Sequence, residues 1–373
     1  MNLLYLHGST LESYWRTGKV SYLDPIRAGG LFESVHMVNL APDADHDAER
    51  SAGSVRFTSV GLARRGPGQL AKARTLREAV ERLSEPPAPD LVLADDANLL
   101  GLTARWVAAR LKVRYAVCIY YDNDLHHRLT GRPALGFLRS RRLECAFERW
   151  LLRGAAGVYA GNRGYRDYAL RHGADAGRTY LGSWSVDDIF YADPPAPHPD
   201  AREILLVGRL HPLKFIDDVL AALTRLPGSA RLDVAGEGPD RARLEGLVAS
   251  LKLGPRVRLL GVVPREELLA RMQGARAIVV TQGFSSVVEA LLSGRPVVAY
   301  DHECNAEVVR DGRTGLLAPF RDAAALARAL GRVLDDDGLA RDLGQEGRRR
   351  MLDECAPSRS IDHRRRFFEL CLA

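Results

Sequence analysis

The chain has 373 residues, of which 46% are apolar and 27% charged, with a formal net charge of +6. That length favours two domains, and that balance excludes a disordered chain, a collagen-like fibre and a disulfide-stapled miniprotein. Basic and acidic residues are spread evenly over both halves, so no basic domain or tail marks a nucleic-acid binder.

No apolar run reaches the ~18–20 residues of a membrane helix. Residues 1–8 lack the basic start of a secretory leader, so a cytoplasmic protein is expected. Five cysteines (118, 145, 304, 355 and 371) show no metal-ligand spacing, which fits reduced, unpaired thiols, and no metal site is expected. Only five of the 53 basic residues are lysine (19, 72, 112, 214 and 252), so each lysine draws notice.

In chain order, the first half opens with an apolar run at 3–6, a Gly-containing loop, a helical stretch at 20–28 and a strand at 34–38. Residues 64–83 and 137–153 have helical spacing, and 91–94, 115–120 and 158–160 read as buried strands. Four prolines within 192–200 break any helix or central strand and mark a linker. Beyond it, short apolar runs at 203–207, 231–235, 257–260, 277–281 and 296–300 alternate with helical patterns at 216–226, 240–251, 265–272 and 286–292. That alternation implies βαβ units and parallel sheets. Two α/β domains follow, with ligands beyond the carboxyl ends of the strands.

The polar signals lie on those carboxyl-end loops. In Gly208-Arg-Leu-His-Pro-Leu-Lys214, Arg209 and Lys214 form a pair suited to one diphosphate, a fork and a point charge. Gly236-Glu-Gly-Pro239 is a turn that lacks the third glycine of a dinucleotide fingerprint. In Gln282-Gly-Phe-Ser-Ser-Val-Val-Glu289 a buried strand passes through a Gly-containing loop into a helix start, a place that favours an anion. Glu289 sits among Val287, Val288, Ala290 and Leu291, and a charge inside an apolar run needs a partner, here vicinal hydroxyls such as those of a ribose.

In this order and spacing the segments resemble the family-four retaining nucleotide-sugar glycosyltransferases, which have the GT-B fold. The matching residues are Val207-Gly-Arg-Leu with Lys214, Val234-Ala-Gly-Glu-Gly-Pro239, Val257-Arg-Leu-Leu-Gly261, Gly283-Phe, Glu289-Ala and Gly294-Arg-Pro-Val-Val-Ala299. Glu307-Val-Val-x-Asp-Gly-x-Thr-Gly-Leu-Leu317 completes them, and the match is close over 203–330. The resemblance implies two Rossmann-like domains facing each other across a cleft. They would be an acceptor-side domain at 1–191, a linker at 192–200, a donor domain at 201–356, and a helix at 357–373 that crosses back.

It also implies roles. Arg209 and Lys214 would stabilise the leaving diphosphate of a UDP- or GDP-linked sugar, with no further cofactor and no metal. Gly8, Gly18, Gly236, Val262, Gly283, Phe284, Ser285 and Glu289 would complete donor binding, Val262 near the base and Glu289 on the ribose. Tyr121-Asp122 stands where the family often has His-Asp, and His126 or His127, one turn further on, would substitute for the missing histidine beside Asp122. The acceptor would be a glycan, a lipid-linked molecule or a small molecule.

Two departures stand out. The acidic residue usual eight positions before the second Glu is replaced by Thr281, with Gln282 next to it, and the usual Gly-Gly-Ile-Pro reads Glu303-Cys-Asn-Ala306. A sugar-nucleotide epimerase, a non-catalytic partner of another transferase and a nicotinamide dehydrogenase are the alternatives. Finally, seven arginines between 128 and 153, interleaved with Leu135, Phe137, Leu138, Phe147, Trp150 and Leu151, admit two readings. One is a face on an anionic leaflet; the other is a surface helix packed on the sheet.

Overall fold

The computed structural model describes residues 1–8, 26–39, 49–59, 80–81, 83, 88–135, 138, 140–183, 186–194, 203–283 and 285–373. Gly18, Phe284, residues 195–200 of the expected linker, and most of the expected helices at 20–28 and 64–83 lie outside them. The chain divides into two compact units: residues 1–183 with 357–373, and residues 184–356.

In the first unit, β1 (Asn2–His7), β2 (Ser34–Asn39), β3 (Glu49–Ala52), β4 (Val55–Ser59) and β5 (Leu91–Asp95) come first. They are followed by α1 (Leu99–Leu111), β6 (Arg114–Ile119), α2 (Asn123–Thr130), α3 (Arg141–Gly154), β7 (Gly157–Ala160), α4 (Arg163–Arg171) and β8 (Thr179–Leu181). The eight strands lie in the order β3-β4-β2-β1-β5-β6-β7-β8, parallel except for the β3–β4 hairpin. Side chains on Asn98, Asp122, Ser140 and Asn162 cap α1, α2, α3 and α4 by accepting from backbone N–H groups of the first turn.

The second unit runs through β9 (Glu203–Val207), α5 (Ile216–Leu223), β10 (Arg231–Ala235), α6 (Arg241–Ser250), β11 (Val257–Gly261), α7 (Arg265–Gly274) and β12 (Ala277–Val280). It continues with α8 (Ser285–Leu292), β13 (Val297–Asp301), α9 (Asn305–Val308), β14 (Leu316–Pro319), α10 (Ala323–Asp335) and α11 (Asp337–Glu354). Its six parallel strands lie in the order β11-β10-β9-β12-β13-β14. The order in which successive strands are laid down therefore reverses between β9 and β12, the switch point where doubly wound sheets bind ligands. All four residues of β12 and the first four of β13 are buried, as expected of strands covered on both faces.

The first unit ends at Ser183, short of the expected 191. The short 3-10 turn Asp188–Tyr191 already belongs to the second unit. Phe190 is fully buried there, and Arg348 donates to the carbonyls of Phe190, Tyr191 and Ala192 at 3.0–3.2 Å.

The last helix, α12 (Pro357–Leu372), belongs to the first unit and packs on β6 and β7. Phe367, Phe368 and Cys371 are fully buried, with the Phe368 ring edge-on to Phe32 at 4.9 Å. Gly157 leaves room for this: a Cβ there would lie 2.4 Å from Cys371 Sγ. Arg364 lies over the Tyr159 ring at 3.9 Å and donates to the Tyr120 hydroxyl at 2.6 Å. If this docking holds the unit together, Phe367→Ala lowers the unfolding free energy by about 3–5 kcal/mol. Leu370→Ala, at a partly exposed position of the same helix, changes it by only about 0.5 kcal/mol. Equal effects in denaturant titrations would refute the docking.

Candidate functional site

At the carboxyl end of β9 the chain passes through Gly208 and Arg209 into a 3-10 turn, Pro212–Lys214, and then α5. The neighbouring loop after β10 lies directly against it. Leu210 N donates to the Glu237 carbonyl at 3.0 Å, and Asp240 N to the Leu210 carbonyl at 3.2 Å. Glycine makes this approach possible: a Cβ on Gly236 would lie 1.9 Å from the Gly208 oxygen, and one on Gly238 2.2 Å from the Leu210 oxygen. The structure thus gives Gly236 a backbone role, supporting the loop that carries Arg209. Arg209 itself is exposed, and among the described residues no carboxylate pairs with it.

Lys214 is half-buried, and its Nζ donates to the Gln282 carbonyl at 3.0 Å. Burial lowers its pKa, and the nearby Glu303 charge works in the opposite direction. Three loops are joined around it. Thr281 Oγ1 donates to the Lys214 carbonyl, Gln282 Nε2 donates to Glu303 Oε2 at 2.8 Å, and Cys304 Sγ donates to the Gly283 carbonyl. Asn305 Nδ2 donates to the carbonyls of Val280 and Thr281, both at 3.3 Å. Gly283 is required by the tight entry into α8, since a Cβ there would meet Ser286 Oγ at 2.5 Å. Ser285 begins α8.

Glu289 is buried, and its partner is within the protein. Arg265 Nη2 donates to Glu289 Oε1 at 3.0 Å, and Arg265 Nε stands 3.6 Å from Asp187 Oδ2. All three side chains are less than one-tenth exposed, and the Arg265 guanidinium lies over Phe190. The sequence argument called for a partner and assigned a ribose; the structure supplies Arg265, at the first position of α7. Val262 stands exposed just after Gly261, whose φ is +74°.

In the first unit, Gly8 follows β1, and its N–H donates to Asp95 Oδ2 at 3.2 Å, while the Tyr5 hydroxyl donates to Oδ1 at 2.6 Å. The adjacent Asp96 accepts from the N–H groups of Tyr120 and Tyr121 at 2.7 and 3.1 Å. Desolvation pushes Asp95 up to about 6, and desolvation aided by the Asp95 charge pushes Asp96 up to about 7. The sequence reading missed this pair, whose signal is a buried apolar strand ending in two acids. Asp122 is the cap of α2, accepting from Leu125 N at 2.8 Å, and His126 Nδ1 lies 2.7 Å from the Tyr121 hydroxyl. Asp124, Cys145 and His172 bring ligand-type atoms within 4.8 Å of one another, and Arg141 already donates to Asp124 at 2.6 Å.

Residues 191–350 match the family model for glycosyl transferases group 1, and residues 27–182 match that for a glycosyl transferase 4-like domain. A 2-deoxystreptamine glucosyltransferase of Streptomyces kanamyceticus is 30% identical over 293 residues, covering 73% of this chain and 74% of that protein. The chain belongs to the family-four GT-B glycosyltransferases.

Other relatives of this glycosyltransferase chain are matched over less of their length. The aligned part spans 65% of the glycogen synthase of Mycobacterium tuberculosis, at 29% identity over 71% of this chain. It spans 16% of an exopolysaccharide phosphotransferase of Streptomyces coelicolor, at 34% identity over 39% of this chain. Among solved structures, sucrose-phosphate synthase from Thermosynechococcus elongatus superposes with a TM-score of 0.79 at 22% identity, covering 95% of this chain and 94% of that one. Anabaena HepE, in complex with UDP and glucose, gives 0.74 at 16% identity, covering 97% of each chain. These likenesses show the GT-B fold.

Two predictions follow from the buried charges of this glycosyltransferase chain. Removing Arg265 strands Glu289 and Asp187, so Arg265→Leu costs about 3–5 kcal/mol of unfolding free energy. Breaking the exposed Arg241–Glu245 pair with Glu245→Gln changes it by only about 0–1 kcal/mol in the same denaturant titration. For Asp96, the folded-state pKa of about 7 lies above the ordinary 3.8, so the folded state binds more protons between those values. Its contribution is present in acid and is lost as pH rises towards 7. Asp96→Asn keeps an acceptor for Tyr120 and Tyr121, and it should flatten the decline of stability between pH 4 and 7. An unchanged slope would show that Asp96 is ionised throughout.

Proposed function

We propose that this chain moves a sugar from a UDP- or GDP-linked donor to a hydroxyl of a glycan, a lipid-linked molecule or a small molecule, with retained anomeric configuration. The observation that carries the reading is the delivery of Arg209 and Lys214 by one loop to the carboxyl end of β9, at the switch point. The UDP complex of the structural neighbour HepE supports the donor class.

As the bond between the sugar C1 and the diphosphate oxygen breaks, its electron pair stays on that oxygen. Arg209, Lys214 and the first-turn N–H groups of α8 meet the new charge, and fixed charge aimed at developing charge is a large catalytic term. The acceptor oxygen bonds to C1 on the same face, and its proton passes to the departing diphosphate. On this reading protein cations do the work that a metal ion does in other transferases. Glu289 uses one oxygen for Arg265 and offers the other to the ribose. Gly8 donates to Asp95 in this conformation, so a contact from its N–H to phosphate requires exchange of that partner. Asp122 and His126, at the carboxyl end of β6, would act on the acceptor.

A lipid-linked acceptor has one observation in its favour. On α3, Leu143 is 57% and Trp150 44% exposed, beside exposed Arg142, Arg149 and Arg153, a combination suited to an anionic leaflet. Among the described residues no helix is long and apolar enough to cross a membrane.

The test is a thermal-shift titration with UDP and GDP in the presence of chelator. A nucleotide at a hundred times its dissociation constant adds about 2.7 kcal/mol to stability. Arg209→Lys should lose most of that shift, because an ammonium cannot reproduce two parallel donors. A shift that appears only with added magnesium or manganese overturns the metal-free reading. Turnover of a UDP-N-acetylhexosamine without acceptor would point instead to an epimerase, and bound nucleotide without any turnover to a non-catalytic partner.

A further inference from the structure

The loops after β9, β12 and β13 bring together Lys214, Gln282 and Glu303, and the third of these has no role in the reading above. Gln282 is bound twice: its side-chain Nε2 donates to Glu303 Oε2 at 2.8 Å, and its carbonyl accepts from Lys214 Nζ at 3.0 Å. Glu303 adopts a φ of +48°, the left-handed region that side chains disfavour and glycine enters without strain. The chain nevertheless holds a carboxylate at this position. The residues that follow fix it there, Cys304 through the Gly283 carbonyl and Asn305 through the carbonyls of Val280 and Thr281. Strain kept at the carboxyl end of a sheet by surrounding hydrogen bonds is characteristic of functional positions.

Resting on the transferase reading, we infer that Glu303, oriented by Gln282, accepts the hydroxyl hydrogens of the sugar carried on the donor and so determines which sugar the site takes. A carboxylate is acceptor-only with about four lone-pair sites, enough to serve the Gln282 amide and other donors together. Its two oxygens suit a pair of neighbouring hydroxyls, and hydrogen bonds to a charged acceptor are about twice as strong as neutral ones. Diphosphate is not its ligand, because like charges repel; the Lys214 ammonium beside it offsets that repulsion. Neither Thr281 nor Gln282 is acidic, and the carboxylate held by the Gln282 amide is that of Glu303, in the loop after β13.

The experiment compares wild type, Glu303→Gln and Glu303→Gly by calorimetric titration with UDP, UDP-glucose, UDP-galactose, UDP-N-acetylglucosamine, GDP and GDP-mannose. For the nucleotide sugar that wild type binds most tightly, both variants should lose tenfold or more in affinity. Affinity for the bare nucleotide should stay within twofold. Glu303→Gly also relieves the left-handed backbone, so its ligand-free melting temperature should equal or exceed that of wild type, which separates loss of the sugar from loss of the fold. Discrimination between UDP-glucose and UDP-galactose should narrow in both variants. Variants that keep the sugar affinity, or that lose sugar and bare nucleotide in parallel, overturn the assignment while leaving the transferase reading intact. A wild type that binds none of the six ligands overturns the reading of a UDP- or GDP-linked donor, and this assignment with it.

Discussion

A parallel strand buried on both faces can show polar groups only at its ends, and β9 is such a strand. It is flanked by β10 on one side and β12 on the other, so the loops after β9 and β12 must leave in opposite directions and open a gap. The hydrogen bonds that join the second unit's loops close that gap, backbone to backbone between the β9 and β10 loops and from side chain to backbone around the β12 loop. The β10 loop supports the β9 loop through Gly236 and Gly238. The β12 loop supports it through Thr281 and Lys214, and the β13 loop supports the β12 loop through Cys304 and Asn305. Side chains at these positions are small or hydrogen-bonded because the loops meet backbone to backbone.

The sequence makes this half legible because its strands are short apolar runs that end in glycine or a polar residue. Val207-Gly208 and Ala235-Gly236 mark both strand end and loop geometry at once, and the structure puts those ends within one residue of expectation. The first half is less legible. The β3–β4 hairpin alternates polar and apolar residues over only a few positions, too short to separate from a loop. α1 is flanked by ordinary caps, yet its weak amphipathic pattern did not stand out. The site's long-range partners were also out of reach. Arg265 and Glu289 are separated by a strand and a helix, and no local spacing announces their pairing. Spacing alone does not assign Asp122, since one acid before a helix serves equally as a motif residue and as a cap.

The scarcity of lysine now has a physical counterpart. Two of the arginines hold several acceptors at once. Arg141 bridges Asp124, Glu144 and Glu148, and Arg348 gathers carbonyls from the turn at 188–191. A planar, forked cation suits those sites and stays charged in all of them. Lys214 occupies a different kind of place, a half-buried point with one backbone acceptor and one nearby carboxylate. A compact ammonium keeps unused donors there, whereas a guanidinium would need more acceptors than these loops offer.

Partial satisfaction of that kind separates the binding loops from the scaffold. In the scaffold, by contrast, the buried Glu144 and Glu148 are matched internally by Arg141. In the loops around Lys214, a desolvated cation and a left-handed Glu303 are held together at a cost in stability. The hydrogen bonds between these loops are made without any ligand, so the arrangement of the second unit's loops is fixed in advance. Preorganisation and local strain are therefore one feature. Side-chain hydrogen bonds from Cys304 and Asn305 to the β12 loop keep Glu303 in a disfavoured conformation, and the Gln282 carbonyl of that same loop holds the Lys214 ammonium.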